Sequence, residues 1–333
     1  MTPGPLDGLG TVARIPGHLA SLARFVAERQ DRRRADADAF AELARRPLHL
    51  PAGVELEWLG TAGYRLTAEG QTLYIDPYVS RVPPRALLGR RPALADPLLH
   101  ARFLTPPGPV AGVLVGHTHF DHAIDVPELC RRTGATAYGS ASLGRLMHAF
   151  GVGDRAVQVV PRQAYELGPF VVRFHRSAHS KLLLGLKVPS DGELTCDHID
   201  GFNTGAYRCG QVFGIEIEVA GLRLYHQGSA NLLDDEVPTG GVDVFLAGIA
   251  GRRFTPGYWP RILGRLQPDV VVASHFDDFL RPVDAPTGFS LNVNLAVWPE
   301  EIAAVGRDIG VAALPAPVSG GPRAPASGGT RPT

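Results

Sequence analysis

Residues 111–122 read AGVLVGHTHFDH, an apolar run that gives way to three histidines and an aspartate within six positions. AGVLVG is short and apolar enough for a buried strand, and the following AIDVPELCRR has helical character. The predicted order is strand, histidine-rich loop, helix. Side chains two apart on extended backbone point the same way, so His117, His119, Asp121 and His122 are set to converge. Imidazole nitrogens and carboxylate oxygens are the ligands that catalytic zinc, manganese and iron sites use while leaving a position for water. A single loop histidine is ordinarily no more than hydrogen-bonded. Four such donors directly after an apolar strand point to a metal site.

Upstream of this motif, residues 15–46 carry apolar positions at helical spacing, Leu19, Leu22, Ala23 and Val26 among them, beside an arginine-rich polar face around DRRRADAD. From Val54 the period changes, and VELEWLGTAGYRLTAEGQTLYIDPY predicts two or three short strands with Gly-containing turns. Residues 81–109, rich in proline and arginine, read as a long loop with one helical turn. Downstream, ATAYGS, AVQVV, PFVVRFH, the FGIEIEVAGLRLYH hairpin, VDVFLAG and VVVAS are strand candidates. ASLGRLMHAF, GYWPRILGRLQ and PEEIAAVGRDIG are helix candidates. This alternation predicts one large α/β domain over 51–314, preceded by a helical extension over 1–50. The Pro/Gly/Ser-rich stretch 315–333 is expected to be disordered.

Composition narrows the function. The 33 Lys plus Arg balance the 33 Asp plus Glu, so there is no bulk basic field of the kind that binds phosphate backbones, and nucleic acid is disfavoured as a partner. Glycine and proline make up about a fifth of the chain, short of low complexity. No apolar run approaches the length of a transmembrane helix. Cys130, Cys196 and Cys209 form no CxxC pair, and no export signal is read, so a cytoplasmic location is expected. Lys181 and Lys187 are the only lysines and neither lies in a GxxxxGK[ST] loop, which removes lysine-nucleophile and P-loop chemistry.

The HxHxDH pattern, matched without gaps by His117 to His122, resembles the defining motif of the metallo-β-lactamase superfamily. WLGTAGYRL followed by LYIDPY, with Asp76 and Pro77, is similar to the N-terminal hairpin of the branch that contains ascorbate-6-phosphate lactonase and N-acyl phosphatidylethanolamine phospholipase D. The resemblance covers roughly residues 54 to 300. It implies an α/β fold, the four-layer αββα sandwich, with metals at one edge. It also implies a third histidine after another strand, for which His179 is chosen over His175, and a last histidine after a late strand, His275. One metal would then take His117, His119 and His179, and the other Asp121, His122 and His275. Where the family places a bridging aspartate after glycine, this chain has Ser229 after Gly228, which is expected to weaken the second metal. His226, Asn231, Asp234 and Asp235 are the neighbouring groups that could compensate.

The resemblance implies a metal-dependent hydrolase in which a metal-activated hydroxide attacks an ester, lactone or phosphodiester bond of a small-molecule or lipid-like metabolite. Zn2+, one or two ions, is the expected cofactor, with Mn2+ or Fe as alternatives, and Asp121 is the expected catalytic residue. Lys181, Lys187 and His198 are candidate substrate contacts, and Asp277 and Asp278 are candidate acceptors for a ligand histidine's N–H. Two other readings use the same fold: an iron-dependent oxidoreductase or oxygenase, and a non-hydrolytic binding member whose metal site is altered at Ser229. A homo-oligomer is left open.

Overall fold

A computed structural model describes residues 5–182, 185–306 and 308–317, with side chains from residue 14 onward. The chain opens with two helices, α1 (Pro5–Ala27) and α2 (Arg29–Leu43). A hairpin of β1 (Glu55–Gly60), β2 (Gly63–Ala68) and β3 (Gln71–Ile75) follows. After helix α3 (Pro97–Phe103) come β4 (Val110–Leu114), α4 (Phe120–Ala123), α5 (Val126–Thr133), β5 (Ala137–Gly139), α6 (Ala141–Ala149) and β6 (Ala156–Gln158). The second half runs β7 (Ala164–Leu167), β8 (Phe170–Ser177), β9 (Val212–Val219), β10 (Leu222–Gln227), β11 (Val244–Gly248), α7 (Tyr258–Leu266), β12 (Val270–Ser274), α8 (Trp298–Ala303) and β13 (Gly310–Ala313).

The strands form two sheets, ordered β1-β2-β3-β4-β5-β6 and β13-β12-β11-β10-β9-β8-β7. Each has an antiparallel half of consecutive hairpins and a parallel half built by crossovers. Alternation in the first sheet sets its two faces. Leu73, Ile75 and Leu114 pack in the core shared with the second sheet. Tyr74, Val113 and Val115 point the other way, into a second core with Leu129 of α5 and Leu143, Leu146 and Met147 of α6. On α7, buried Tyr258, Trp259, Ile262, Leu263 and Leu266 make one apolar stripe that joins the core with Trp298 of α8. The result is the αββα sandwich, with apolar β12, VVVAS, buried as a parallel strand should be.

Several local readings are corrected. The 81–109 stretch contains a single 3-10 turn at Pro84–Leu88 and also α3. The latter is started by Asp96, whose carboxylate accepts from the Leu98 and Leu99 amides at 2.9 and 3.3 Å, with Pro97 at the first helical position. The last predicted helix, over 299–310, ends at Ala303, and a further strand at Gly310–Ala313, not expected from the sequence, pairs with β12. The AYEL strand β7 was not expected between β6 and β8. Most of the 315–333 stretch, residues 318–333, lies outside the described residues.

The two N-terminal helices dock on the loop before α8. Arg32 donates to Asn294 Oδ1 at 3.1 Å, and the buried Asp36 accepts from the Ala296 amide at 2.9 Å. Phe40 packs at ring distances of 5.2 and 6.2 Å from Phe276 and Trp58. No helix of the described residues is long and apolar enough to cross a membrane.

Candidate metal centre

Five chain segments end at one edge of the sandwich: the loops after β3, β4, β8, β10 and β12. They carry Asp76, His117 to His122, His179, Gly228-Ser229 and His275 in that order. Loops at strand ends can vary while the sheets hold them in place, which is why side chains 158 positions apart in the chain can be brought together here.

Two groups of three potential ligands result, His117 with His119 and His179, and Asp121 with His122 and His275. Within each, the ligand atoms lie within 4.8 Å of one another. Rings of the two groups touch, His117 and His122 having centroids 3.9 Å apart. The outward ring nitrogens are held by fixed acceptors. His119 Nε2 lies 2.8 Å from the Pro189 carbonyl, His179 Nδ1 lies 2.7 Å from the Ser180 carbonyl, and His122 Nδ1 lies 2.9 Å from Asp76 Oδ2. A carbonyl or carboxylate requires a donor, so each of these rings carries its proton outward and turns a lone pair inward. His117 Nε2 and His119 Nδ1 face each other at 3.1 Å. His119 Nδ1 offers a lone pair to this contact, which a proton on His117 Nε2 or a shared cation can occupy, and the inward lone pairs of His119, His122 and His179 fit a divalent metal.

Electrostatics agree. Burial, reinforced by repulsion from the surrounding imidazoles, holds His117 well below the ordinary histidine range. Burial likewise lowers His119 and brings His179 down to about 3. All three are neutral at pH 7. His122 differs: burial lowers it, but Asp76 and Asp121 together raise it. For Asp121, burial is outweighed by His122 and His275, and the carboxyl is held far below the usual carboxylate range. Its Oδ2 lies 3.2 Å from His275 Nε2 and 3.7 Å from His122 Nε2.

Asp76 lies fully buried beneath this centre. Oδ2 meets His122 Nδ1 at 2.9 Å and His226 Nε2 at 3.0 Å, and Oδ1 accepts from the Gly116 amide at 2.6 Å. Burial would raise its carboxyl, but the pull of His122 and then His226 lowers it to about 2. Gly228 is tied to the same spot: a Cβ there would lie 2.9 Å from the His122 ring and 3.0 Å from Asp76 Oδ2. Thr61, Asp76 and His275 all adopt left-handed backbone, with φ of 53, 42 and 54°, and the His275 amide donates to the Thr61 carbonyl at 2.8 Å. Three non-glycine residues in that region at one edge mark a site where local strain is tolerated by its surroundings.

The remaining sequence candidates are placed as follows. Ser229 lines the cavity over the two groups, and its Oγ accepts from the Ser180 amide at 3.0 Å. His175 is not at the centre but on β8, with Nε2 2.8 Å from Glu216 Oε2. His226 reaches the site only through Asp76. Asn231 serves the chain itself, donating to the His179 carbonyl at 3.1 Å. Asp234 pairs with Arg261, and the Asp235 carbonyl accepts from Arg162 at 2.9 Å. Neither Lys181 nor Lys187 is among the cavity-lining residues, nor is His198, which is largely exposed and paired with Asp197. Asp277 does not accept from His275. It accepts from the Thr61 amide at 3.0 Å and from Arg81 at 2.8 Å.

The cavity has a volume of about 570 Å³. At its base are His119, Asp121, His179, Ser229 and His275. Its walls include Phe120, Phe254, Phe279, Leu280, Leu291 and Val293, and Arg29, Arg33 and Arg253 also border it. No motif marks these arginines or Asp76 as belonging to one site. The DP pair in LYIDPY was the only trace of Asp76.

Comparison with known proteins gives a match to the model of the beta-lactamase superfamily domain over residues 55–275. A UPF0173 metal-dependent hydrolase of Anaeromyxobacter dehalogenans is 31% identical over 235 residues, covering 68% of this chain and 75% of the relative. Another of Cupriavidus taiwanensis is 30% identical over 196 residues, covering 54% of this chain, which spans only 58% of that relative's length. Among solved structures, a metallo hydrolase of Ignicoccus hospitalis is 19% identical with a TM-score of 0.48, over 80% of this chain and 97% of the other.

Proposed function

The chain belongs to the beta-lactamase superfamily domain family, and from that premise we propose that it is a metal-dependent hydrolase whose centre is formed by His117, His119, His179, Asp121, His122 and His275. The observation that carries this reading is the set of outward N–H groups held by Pro189, Ser180 and Asp76, which leaves inward lone pairs for a cation. Residues 51–314 would form the catalytic domain, with 1–50 as an extension along its cavity and 315–333 as a tail.

Zn2+ is the proposed ion, since five imidazoles and one carboxylate suit it, while manganese and iron accept the same donors. One or two such ions supply Lewis-acid activation of water and polarisation of the scissile group. The protein's part is orientation. Asp121 stays ionised, so its carboxylate can accept a hydrogen bond from the attacking water and fix its direction. Asp76 keeps His122 in the Nδ1–H tautomer. The phenylalanine-lined walls exclude bulk water and hold an apolar substrate body. The scissile bond is proposed to be an ester, lactone or phosphodiester of a small-molecule or lipid-like metabolite. Ser229 leaves Asp121 as the one carboxylate in the ligand set, and this favours unequal affinity at the two groups.

The test is metal content by plasma mass spectrometry on protein purified without added metal or chelator, combined with hydrolysis of aryl esters, lactones and bis(p-nitrophenyl) phosphate. His117→Ala with His119→Ala is expected to abolish both bound metal and turnover. Unchanged metal and turnover in that variant would refute the proposal, and stoichiometric iron with oxygen consumption would move it to redox chemistry.

A further inference from the structure

The cavity over the metal centre is bordered by charge as well as apolar surface. Arg29 and Arg33 are four apart on α2 and so share one helix face. Both are exposed and neither forms an ion pair among the described residues. Arg253 enters from the loop before α7. Among the described residues its guanidinium donates to neutral oxygens, Ser21 Oγ at 2.8 Å and Asn292 Oδ1 at 3.0 Å. Its neighbour Arg252 is already neutralised by Glu301, with bonds of 2.6 and 2.9 Å. Of the carboxylates lining the cavity, Asp121 belongs to the metal centre, and Asp278 caps its own turn by accepting from the Leu280 amide at 3.2 Å. Among the described residues, three guanidinium groups without a carboxylate partner thus border one cavity.

Guanidinium forks recognise phosphate and carboxylate oxygens. Beside them stand Phe254, Phe279, Leu280 and Leu291, a surface that a hydrated inorganic ion does not use. We propose that Arg29, Arg33 and Arg253 form an anion-binding rim, and that the substrate is a monomeric anionic amphiphile whose phosphate or carboxylate meets these arginines while its apolar body lies along the phenylalanine wall. The N-terminal extension is then part of the binding site. This rests on the hydrolase reading for the word substrate, but the binding itself does not depend on metal.

The experiment is calorimetric titration with octyl phosphate, inorganic phosphate and the neutral octyl glucoside, on metal-replete and chelator-stripped protein. Wild type is expected to bind octyl phosphate in both forms, and each of the other two probes at least about tenfold more weakly. Arg29→Gln with Arg33→Gln should lose about tenfold or more in octyl phosphate affinity, since each charge-assisted bond is worth about a factor of ten. Its melting temperature and metal content should be unchanged, because both side chains are exposed. Equal affinity in wild type and variant overturns the rim, as does inorganic phosphate binding as tightly as octyl phosphate. Association with phosphatidic acid vesicles but not with octyl phosphate also overturns it, in favour of a membrane-docking face. Failure of the two readings is distinguishable. Arginine-dependent binding by a chain that takes up no metal keeps the rim and removes the hydrolase, whereas turnover with arginine-independent binding does the reverse.

Discussion

Replacing Asp76 with asparagine tests how the metal centre is supported from below. The carboxylate receives three donors: His122 Nδ1–H and His226 Nε2–H at Oδ2, and the Gly116 amide at Oδ1. Asparagine has the same shape but only one oxygen. If that oxygen takes the imidazole side, the NH2 group confronts the Gly116 N–H. If it takes the glycine side, the NH2 confronts both imidazoles. At least one buried donor is left without an acceptor in either case, costing about 1–3 kcal/mol. The first arrangement keeps the His122 tautomer but removes the charge that makes this imidazole a strong ligand, and losses of about 10–100-fold in metal affinity follow from such changes. Asp76→Asn should therefore weaken the group of Asp121, His122 and His275 by that factor and spare the group of His117, His119 and His179. Metal retained against a graded chelator series, followed by mass spectrometry, reads both affinities, and thermal unfolding of the apo protein reads the stability term. Equal loss from both groups, or no loss from either, would refute the reasoning.

Three other outcomes can be checked with the same preparations. His179→Ala should lose metal from the first group, while His175→Ala should keep wild-type metal content and lose stability by about 1–3 kcal/mol, because it leaves Glu216 with one partner fewer. Metal loss in His175→Ala would exchange the two assignments. Glu216 is held at about 2, since His175 and Arg223 outweigh the effect of burial. A depressed carboxyl stabilises the fold above its usual 4.5 and loses that contribution as pH falls towards 2, so the stability gap between wild type and Glu216→Gln should be full at pH 7 and narrow between about pH 4.5 and 2. A gap that stays constant in urea unfolding across that range would contradict this. Ser229→Asp should raise bound metal if the wild type holds about one ion per chain, and an unchanged count would show that Ser229 does not limit occupancy.

The metal-site motif was legible because its donors are packed into six positions after a strand. Chemistry and local geometry coincide there, whereas His179 and His275 were named only through the family resemblance. Asp76 was visible only as part of a resemblance. Its role depends on β10 carrying His226 to the same carboxylate, a contact spanning 150 positions. The proposed arginine rim could not be read at all, since Arg29 and Arg253 border one cavity only once the helical extension is docked. Among the local elements, α3 was hidden by the proline and arginine content around it, although Asp96-Pro97 is a helix-start signal. The strand at Gly310–Ala313 was hidden because four residues of Gly, Val and Ala carry no period of their own, and its pairing with β12 is tertiary.

The cavity is assembled from two kinds of sequence. Its base comes from the segment shared with the family, residues 55–275, whereas Arg29, Arg33, Phe279, Leu280, Leu291 and Val293 lie outside it. If the six candidate ligands hold a metal as proposed, mutations in those flanks would reshape the cavity without touching those ligands. On the proposed reading, the lining supplied by those flanks can change while the candidate ligands at the base stay fixed, which separates what the cavity accepts from the chemistry beneath it.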